Sequence, residues 1–123
     1  MGRTLVSAII AAHSSQKAME GEICQVKVDF AFANDITGAP AAESFREMGA
    51  DRVFDRERCA LLPDHFTPNK DIASAEQTKK GKEFAREQGM LYWEVGRVGI
   101  EHAFLPEKGY ILPGDIVLGA DSH

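Results

Sequence analysis

The sequence predicts a single α/β domain in which helices cover both faces of a largely parallel sheet, a three-layer α/β/α arrangement. Three observations support this class. Short apolar runs without polar alternation are typical of strands buried on both faces. Polar segments of helical length separate these runs, and Gly or Pro marks the turns between them. The length suits one core, so residues 1–123 are expected to form one domain without a second.

The first half of the chain contains three predicted elements. Thr4 can cap a short helix over residues 5–12, in which apolar residues recur at helical spacing. Residues 23–32 alternate between apolar and polar side chains, which predicts a half-exposed strand. A second helix is expected to begin near Pro40, because proline is tolerated in a first turn, and to end at Gly49.

The second half alternates more regularly between strands and helices. Residues 59–62 form a wholly apolar run, which predicts a strand covered on both faces. A long polar helix is expected over residues 72–88. Asn69 and Asp71 are its candidate caps, and Gly89 marks its end. The remaining predicted elements are a strand over 91–95, a helical turn or short strand over 100–105 and a strand over 116–118.

Composition and charge narrow the classes of function. The formal charge is −5, and the 14 basic residues are interleaved with 19 acidic ones, which argues against a nucleic-acid partner. No apolar run is long enough to span a bilayer, so no membrane partner is expected. Cys24 and Cys59 form no CxxC pair, and the N-terminus shows no secretory signal, so we expect a cytoplasmic protein without disulfides.

Three of the four histidines lie beside or near a carboxylate just past a short apolar run. Consecutive strands of a parallel sheet end at the same edge, so these side chains are expected to converge there. His123 is also the last residue given, and we expect its motif to continue beyond it. The motifs are Asp64-His65, Glu101-His102 and Asp121-Ser122-His123.

These histidines favour acid/base chemistry on an oxygen function, with imidazole as proton donor and carboxylates fixing the tautomer. Asp64 and His65 touch only if the chain turns, which Pro63 favours. Glu101 and His102 do not face each other on a helix, so we expect the partner of His102 from elsewhere. Taken singly, each histidine is also compatible with a structural ion pair. The spacing matches no compact zinc pattern, so no metal ligand is predicted.

Weaker candidates lie elsewhere in the chain. The Asn34 amide and the Thr37 hydroxyl stand where a strand gives way to a helix, so they either cap that helix or bind a carboxylate there. The sequence leaves both possibilities open. Gly96 and Gly99 do not form a GxGxxG fingerprint, which argues against a dinucleotide site.

Taken in order, the motifs resemble the opening third of the aconitase superfamily, and within it the large subunits of 3-isopropylmalate dehydratase and homoaconitase. The resemblance covers nearly the whole chain. A lone Asp-His pair would carry little weight, whereas the ordered set is specific. The set comprises Asp64-His65 with the Thr/Pro/Asn loop and Lys-rich helix after it, Gly99-Ile100-Glu101-His102, Leu112-Pro113-Gly114 and Gly119-Ala120-Asp121-Ser122-His123.

The resemblance implies a hydro-lyase that isomerises a 2-hydroxy acid by dehydration and rehydration, as in leucine biosynthesis. It implies a 4Fe-4S cluster in the complete enzyme, held by three cysteines of a later region, and a catalytic serine on a small swivel-domain subunit. Cys24, Cys59 and Ser122 match none of these positions. The expected partners are therefore the remainder of the large subunit, the small subunit and the substrate, and this chain alone is expected to hold no cluster and to be inactive.

Other functions remain open. Homoaconitase and 2,3-dimethylmalate dehydratase large subunits remain alternatives within the family. Two alternatives come from other classes: a non-catalytic binding or assembly module with this fold, and a metal-dependent hydrolase built on the same histidines.

The resemblance also implies residue roles. The implied catalytic residues are Asp64, His65, His102, Asp121 and His123, and the implied substrate-binding residues are Asn34 and Ser122.

Overall fold

A computed structural model of the chain describes residues 3–16 and 21–121. Ser122 and His123, which the sequence predicts to serve the site, lie outside the described residues. No helix within the described ranges is long and apolar enough to cross a membrane. In chain order the elements are α1 (Leu5–His13), β1 (Phe30–Asn34), α2 (Gly38–Glu47), β2 (Cys59–Leu62), α3 (Ile72–Gln88), β3 (Leu91–Tyr92), α4 (Glu101–Glu107) and β4 (Val117–Ala120).

The strands form a parallel sheet in the order β3-β2-β1-β4, which confirms the predicted class. The register pairs Asn34 with Leu62 and Ala33 with Ala120. The last residues of three neighbouring strands therefore lie side by side. The residues that follow these strands therefore begin at the same edge of the sheet, where the sequence predicts that the histidine and carboxylate motifs meet.

One face of the sheet packs against α4. Phe30, Phe32, Ala60 and Leu62 form a buried cluster with Leu105 of that helix. Their positions alternate along β1 and β2, because successive side chains of a strand point to opposite faces. Burying side chains of this size contributes about 1.5–3 kcal/mol each. This packing fixes α4 beneath the edge of the sheet where the strands end.

The opposite face packs against α2 and α3, which gives the third layer. Phe45 of α2 and Phe84 of α3 meet edge to face, with ring centroids 5.3 Å apart. Leu61 of β2 packs beneath both helices next to two glycines. A Cβ atom at Gly38 would lie 2.5 Å from Leu61 Cδ1, and one at Gly81 would lie 3.0 Å from it. Glycine at these two positions therefore permits the close approach of helix and sheet.

The ends of the helices follow local rules that the sequence already shows. The Thr4 hydroxyl oxygen accepts the backbone N–H of Ser7 at 3.1 Å, which confirms the predicted cap of α1. Asp71 and Ser74 form a reciprocal capping box at the start of α3. Gly89 ends that helix in the left-handed conformation, with φ of 67°.

The fourth histidine is part of the scaffold. Nε2 of His13 lies 2.6 Å from Asp29 Oδ2, and its Nδ1 lies 2.8 Å from the carbonyl of Ile9. That carbonyl raises the pKa of His13, and Asp29 raises it further. The Asp29 carboxylate also accepts the backbone N–H of Ile116 at 2.9 Å. Because Asp29 precedes β1, this link ties α1 to the edge of the sheet opposite the Asp-His motifs.

Two predicted strands differ from the observed ones. The predicted strand over residues 23–32 is wrong in its bounds, since β1 begins only at Phe30 and continues to Asn34. Ile23 is fully exposed, and the Lys27 N–H donates to the carbonyl of His13 instead of to a neighbouring strand. The predicted strand over 91–95 shortens to two residues, because Trp93 leaves the sheet to pack against α4.

Candidate functional site

Carboxylates gather at the edge where β1, β2 and β4 end. Asp35 follows β1 directly, Asp64 follows β2 after Pro63, and Asp121 follows β4. All three side chains are almost completely buried, with Asp35 at 0% exposure and the side chains of Asp64 and Asp121 at 5%. Buried carboxylates are stable only with charged or hydrogen-bonding partners, so the partners define this site.

The first histidine–carboxylate pair is Asp64 with His65. The chain turns after Pro63, and Nδ1 of His65 lies 2.6 Å from Asp64 Oδ1. This contact raises the pKa of His65 above its usual value, and the charge of Asp121 acts in the same direction. The ring is about one-third exposed. His65 therefore favours the protonated form while remaining accessible to a ligand.

The second pair joins His102 of α4 to Asp121. Nε2 of His102 lies 2.8 Å from Asp121 Oδ2. The nearest carboxylate to His102 thus comes from another element, as the helical spacing predicts, although Oε1 of the adjacent Glu101 also lies 3.6 Å from the same nitrogen. The ring also packs edge-on against Phe32, with centroids 5.7 Å apart. An aromatic side chain of β1 and a carboxylate after β4 together fix the orientation of this imidazole.

Asp121 connects the two pairs. Its Oδ1 lies 3.5 Å from Nε2 of His65, while its Oδ2 faces His102. Both ring nitrogens of His65 consequently face carboxylate oxygens, which the doubly protonated ring satisfies because both nitrogens are then donors. The structure thus brings Asp64, His65, His102 and Asp121 into one network, in which an ion-pair contact at 3.5 Å links the two hydrogen-bonded pairs. Such a network can donate a proton to an oxygen leaving group and take it back in the reverse step.

Sequence reasoning missed the role of Asp35. Its Oδ1 accepts the backbone N–H of His65 at 3.0 Å, and its Oδ2 accepts that of Phe66 at 2.7 Å. The carboxylate therefore holds the loop that carries the first histidine. Asp35 lies next to Asn34 in a segment that the sequence suggests as a helix cap. Its position directly after a central strand was the signal that it belongs to the site.

Glu101 is the second residue that sequence reasoning did not select. Its backbone N–H donates to Asp64 Oδ2 at 2.8 Å, and its Oε1 lies 3.6 Å from Nε2 of His102. Burial, together with the charges of Asp64 and Asp121, raises the pKa of Glu101 to about 7, against the opposing effects of the hydrogen bond from Asn34 and of His102. Among the described residues, its Oε2 is buried without a hydrogen-bond partner. Its place beside His102 in the sequence was the available signal.

Asn34 is buried at the centre of the same edge, with 1% exposure. Its Oδ1 accepts the backbone N–H groups of Ile36 and Thr37, each at 3.0 Å. Its amide nitrogen donates to Glu101 Oε1 at 3.3 Å. The side chain therefore caps the turn before α2 and also donates a hydrogen bond to the carboxyl group of Glu101. Contact between Asn34 and a substrate stays a prediction.

A cavity of about 320 Å³ opens beside the second pair. Its polar wall consists of Glu101, His102 and Asp121. Apolar side chains line the rest, so the cavity offers proton-handling groups on one side and a hydrophobic surface on the other. The apolar lining includes Phe32, Leu105, Ile111 and Val117.

Ligand atoms of two residue groups lie within 4.8 Å of one another, close enough for a metal ion. In the first group both oxygens of Asp35 already accept backbone N–H groups, and both oxygens of Asp64 are taken by His65 and by a backbone N–H. In the second group Nε2 of His102 already faces Asp121. Hydrogen bonds within the protein thus occupy both carboxylates of the first group and one imidazole nitrogen of the second, whereas Glu101 Oε2 has no such bond among the described residues. The absence of a metal ligand stays a prediction. The groups are Asp35, Asp64 and His65, and Glu101, His102 and Asp121.

The two cysteines do not fit an iron–sulfur cluster. The 4Fe-4S cluster that the family resemblance implies is held by three neighbouring thiolates. Cys59 is buried in the first position of β2, whereas the site lies past the last position of that strand. Burial raises the pKa of the Cys59 thiol, which disfavours the thiolate. Cys24 lies before β1 and is partly buried.

Known proteins resemble this chain along its whole length. It is 53% identical to the 3-isopropylmalate dehydratase large subunit of Halothermothrix orenii and 55% identical to that of Moorella thermoacetica. It is 54% identical to 3-isopropylmalate dehydratase large subunit 1 of Pyrococcus abyssi. Each comparison covers 100% of this chain, which spans about 30% of the length of these relatives. Residues 7–123 also match the aconitase family (aconitate hydratase). The match extends over both histidine–carboxylate pairs, and the chain belongs to the aconitase family.

Proposed function

We propose that this chain is the N-terminal part of the large subunit of a hydro-lyase of the 3-isopropylmalate dehydratase type. Such an enzyme moves the hydroxyl group of a 2-hydroxy acid by removing water and adding it back at the neighbouring carbon. The observation that carries the proposal is the pair of linked histidine–carboxylate contacts at the carboxyl edge of the sheet. The names of the relatives support the reaction type.

Each side chain of the network has a distinct part in this proposal. His65 and His102 hold the proton that the hydroxyl group takes as it leaves. Asp64 and Asp121 orient the two rings, and Asp64 also stabilises the protonated form of His65. His123 is proposed as a further catalytic residue, and Ser122 and Asn34 as contacts to the substrate.

The complete enzyme requires groups that this chain does not supply. A 4Fe-4S cluster acts as a Lewis acid when it is bound, and its thiolates are proposed to come from a later part of the large subunit, since Cys24 and Cys59 do not fit. The base that removes the carbon-bound proton is proposed to lie on a small subunit. We place the reaction in the cytoplasm and in leucine biosynthesis, with isopropylmalate as substrate.

The test is dehydration by the complete large subunit carrying this segment, assembled with its small subunit and its cluster. His65→Asn should lower kcat by about 10²–10⁴-fold, the usual contribution of a positioned acid or base. The matched control is His13→Asn, because His13 also pairs with a carboxylate but lies at the opposite edge of the sheet. It should keep activity at temperatures where the protein remains folded.

Two outcomes would count against the proposal. One is a His65→Asn enzyme whose kcat stays within about threefold of the native value. The other is an assembled, cluster-loaded native protein that does not dehydrate isopropylmalate, homoaconitate or 2,3-dimethylmalate. The second outcome would favour a non-catalytic binding or assembly module with this fold.

A further inference from the structure

We infer that Glu101 is a positioning residue that couples the two histidine–carboxylate pairs, and that it does so as a neutral carboxylic acid. This inference rests on the proposed function for its meaning in catalysis. Glu101 belongs to neither pair, and its geometry shows contacts to both.

The backbone of Glu101 holds the first pair. Its N–H donates to Asp64 Oδ2 at 2.8 Å, while Oδ1 of the same carboxylate faces His65. Each oxygen of Asp64 thus has its own partner, which fixes the plane of the carboxylate. Because Glu101 is the first residue of α4, a shift of that helix would release Asp64 and with it the orientation of the His65 ring.

The side chain of Glu101 lies against the second pair. Its Oε1 lies 3.6 Å from Nε2 of His102, the nitrogen that faces Asp121, and it accepts the amide N–H of Asn34 at 3.3 Å. The side chain therefore lies between the end of β1 and the imidazole. Asn34 is itself held by the turn before α2, so Glu101 is supported by a rigid neighbour.

The surroundings favour a neutral carboxyl group at this position. The residue has 0% exposure, and its Oε2 has no partner within the part of the chain that the structure describes. Two acidic side chains face it, Asp64 after β2 and Asp121 after β4, and the basic groups near it are His102 of α4 and His65 after β2. A third negative charge would be buried between two others with one oxygen unpaired, which is strongly unfavourable.

Loss of the proton from Glu101 is expected to disturb both pairs at once. The new charge would repel Asp64 and Asp121 and would compete with Asp121 for His102. The two pairs would then no longer share the geometry that the neutral form permits. In the complete enzyme this predicts that activity falls on the alkaline side as Glu101 ionises.

The experiment compares pH profiles of kcat/KM for the assembled enzyme, since this parameter reports groups of the free enzyme. With a pKa of about 7, the neutral fraction of Glu101 falls about tenfold between pH 6 and pH 8. The kcat/KM of the native enzyme should therefore also fall about tenfold between pH 6 and pH 8. Glu101→Gln keeps an oxygen for Asn34 but cannot ionise, and its kcat/KM should change by less than about threefold over the same range. Glu107→Gln, on the exposed end of the same helix, should follow the native profile.

A purely structural role predicts a different pattern, in which Glu101→Gln lowers activity equally at every pH and keeps the native profile. That result would overturn the inference. Glu101→Ala removes the partner of Asn34 and should lose activity at both pH values, and Glu101→Gln should lose less than Glu101→Ala at pH 6. Equal losses would also contradict the inference.

A second measurement does not depend on turnover. Between pH 5 and pH 8 the melting temperature of the native protein should fall by several degrees more than that of Glu101→Gln, because only the native side chain must lose a proton. Parallel curves would refute a neutral Glu101 even in an active enzyme. An inactive native enzyme with diverging curves would instead refute the proposed function and leave the coupling supported.

Discussion

Replacement of Asp35 should loosen the loop that carries the first histidine. Its two oxygens accept the backbone N–H groups of His65 and Phe66 at 3.0 and 2.7 Å, and the residue has 0% exposure. Hydrogen bonds to a charged group contribute about 1.5–3 kcal/mol each. Asp35→Ala removes both and should lower the free energy of unfolding by about 4 kcal/mol. Asp35→Asn keeps one acceptor oxygen and should lower it by about 2 kcal/mol.

Urea denaturation followed by circular dichroism measures these differences. Asp51→Asn, at an exposed position before β2, is the matched control and should stay within about 0.5 kcal/mol of the native chain. The prediction includes the rank order of the variants in free energy of unfolding as well as the size of each difference. If Asp35→Ala unfolds within about 1 kcal/mol of the native protein, or if Asp35→Asn is the less stable variant, the carboxylate does not hold the loop as its distances imply.

Three further predictions follow from the packing and the charges. Gly38→Ala should destabilise the protein by about 1–3 kcal/mol in urea denaturation, since its Cβ would lie 2.5 Å from Leu61, whereas Gly99→Ala has open space and should be close to neutral. The folded-state pKa of Glu101 is about 7 against an ordinary value of 4.5, so unfolding measured at several pH values should show stability falling by about 3 kcal/mol as the pH rises through this window; a flat profile would contradict the raised pKa. After reconstitution with iron and sulfide, the isolated chain should show no iron–sulfur absorption, and a stable brown product would prove that its two cysteines suffice.

The regular part of the fold could be predicted from the sequence because local rules and burial agree there. The run over β2 is wholly apolar, and the strand is buried at all four positions. Asp71 and Gly89 set the ends of α3 through a capping box and a left-handed turn. The bounds of β1 were predicted wrongly, because the alternation that begins at Ile23 resembles a half-exposed strand, although no strand of the described residues pairs with residues 23–29. Strand pairing depends on residues that are distant in the sequence, so a local pattern of side chains cannot predict it.

The site also includes some residues that could be predicted from the sequence and others that could not. Asp64 and His65 could be predicted to meet, since adjacent residues and a proline lie together in the sequence. Asp121 could be expected at the same edge, but its position between two imidazoles depends on the strand order. Asp35 and Glu101 were missed because each has an ordinary local role, in a helix cap or in the first turn of a helix. Their functional environment arises only from burial among side chains that are distant in sequence.

The strand order also determines when the site can form. β4 pairs with β1, and the hydrogen bond from Ile116 to Asp29 spans 87 residues of sequence. Closing so long a loop is slow in comparison with the formation of local helices. A nascent chain would therefore carry His65 and His102 without Asp121 until β4 docks onto β1. The charged network then forms only after this pairing, and its appearance would report that β4 has joined the sheet.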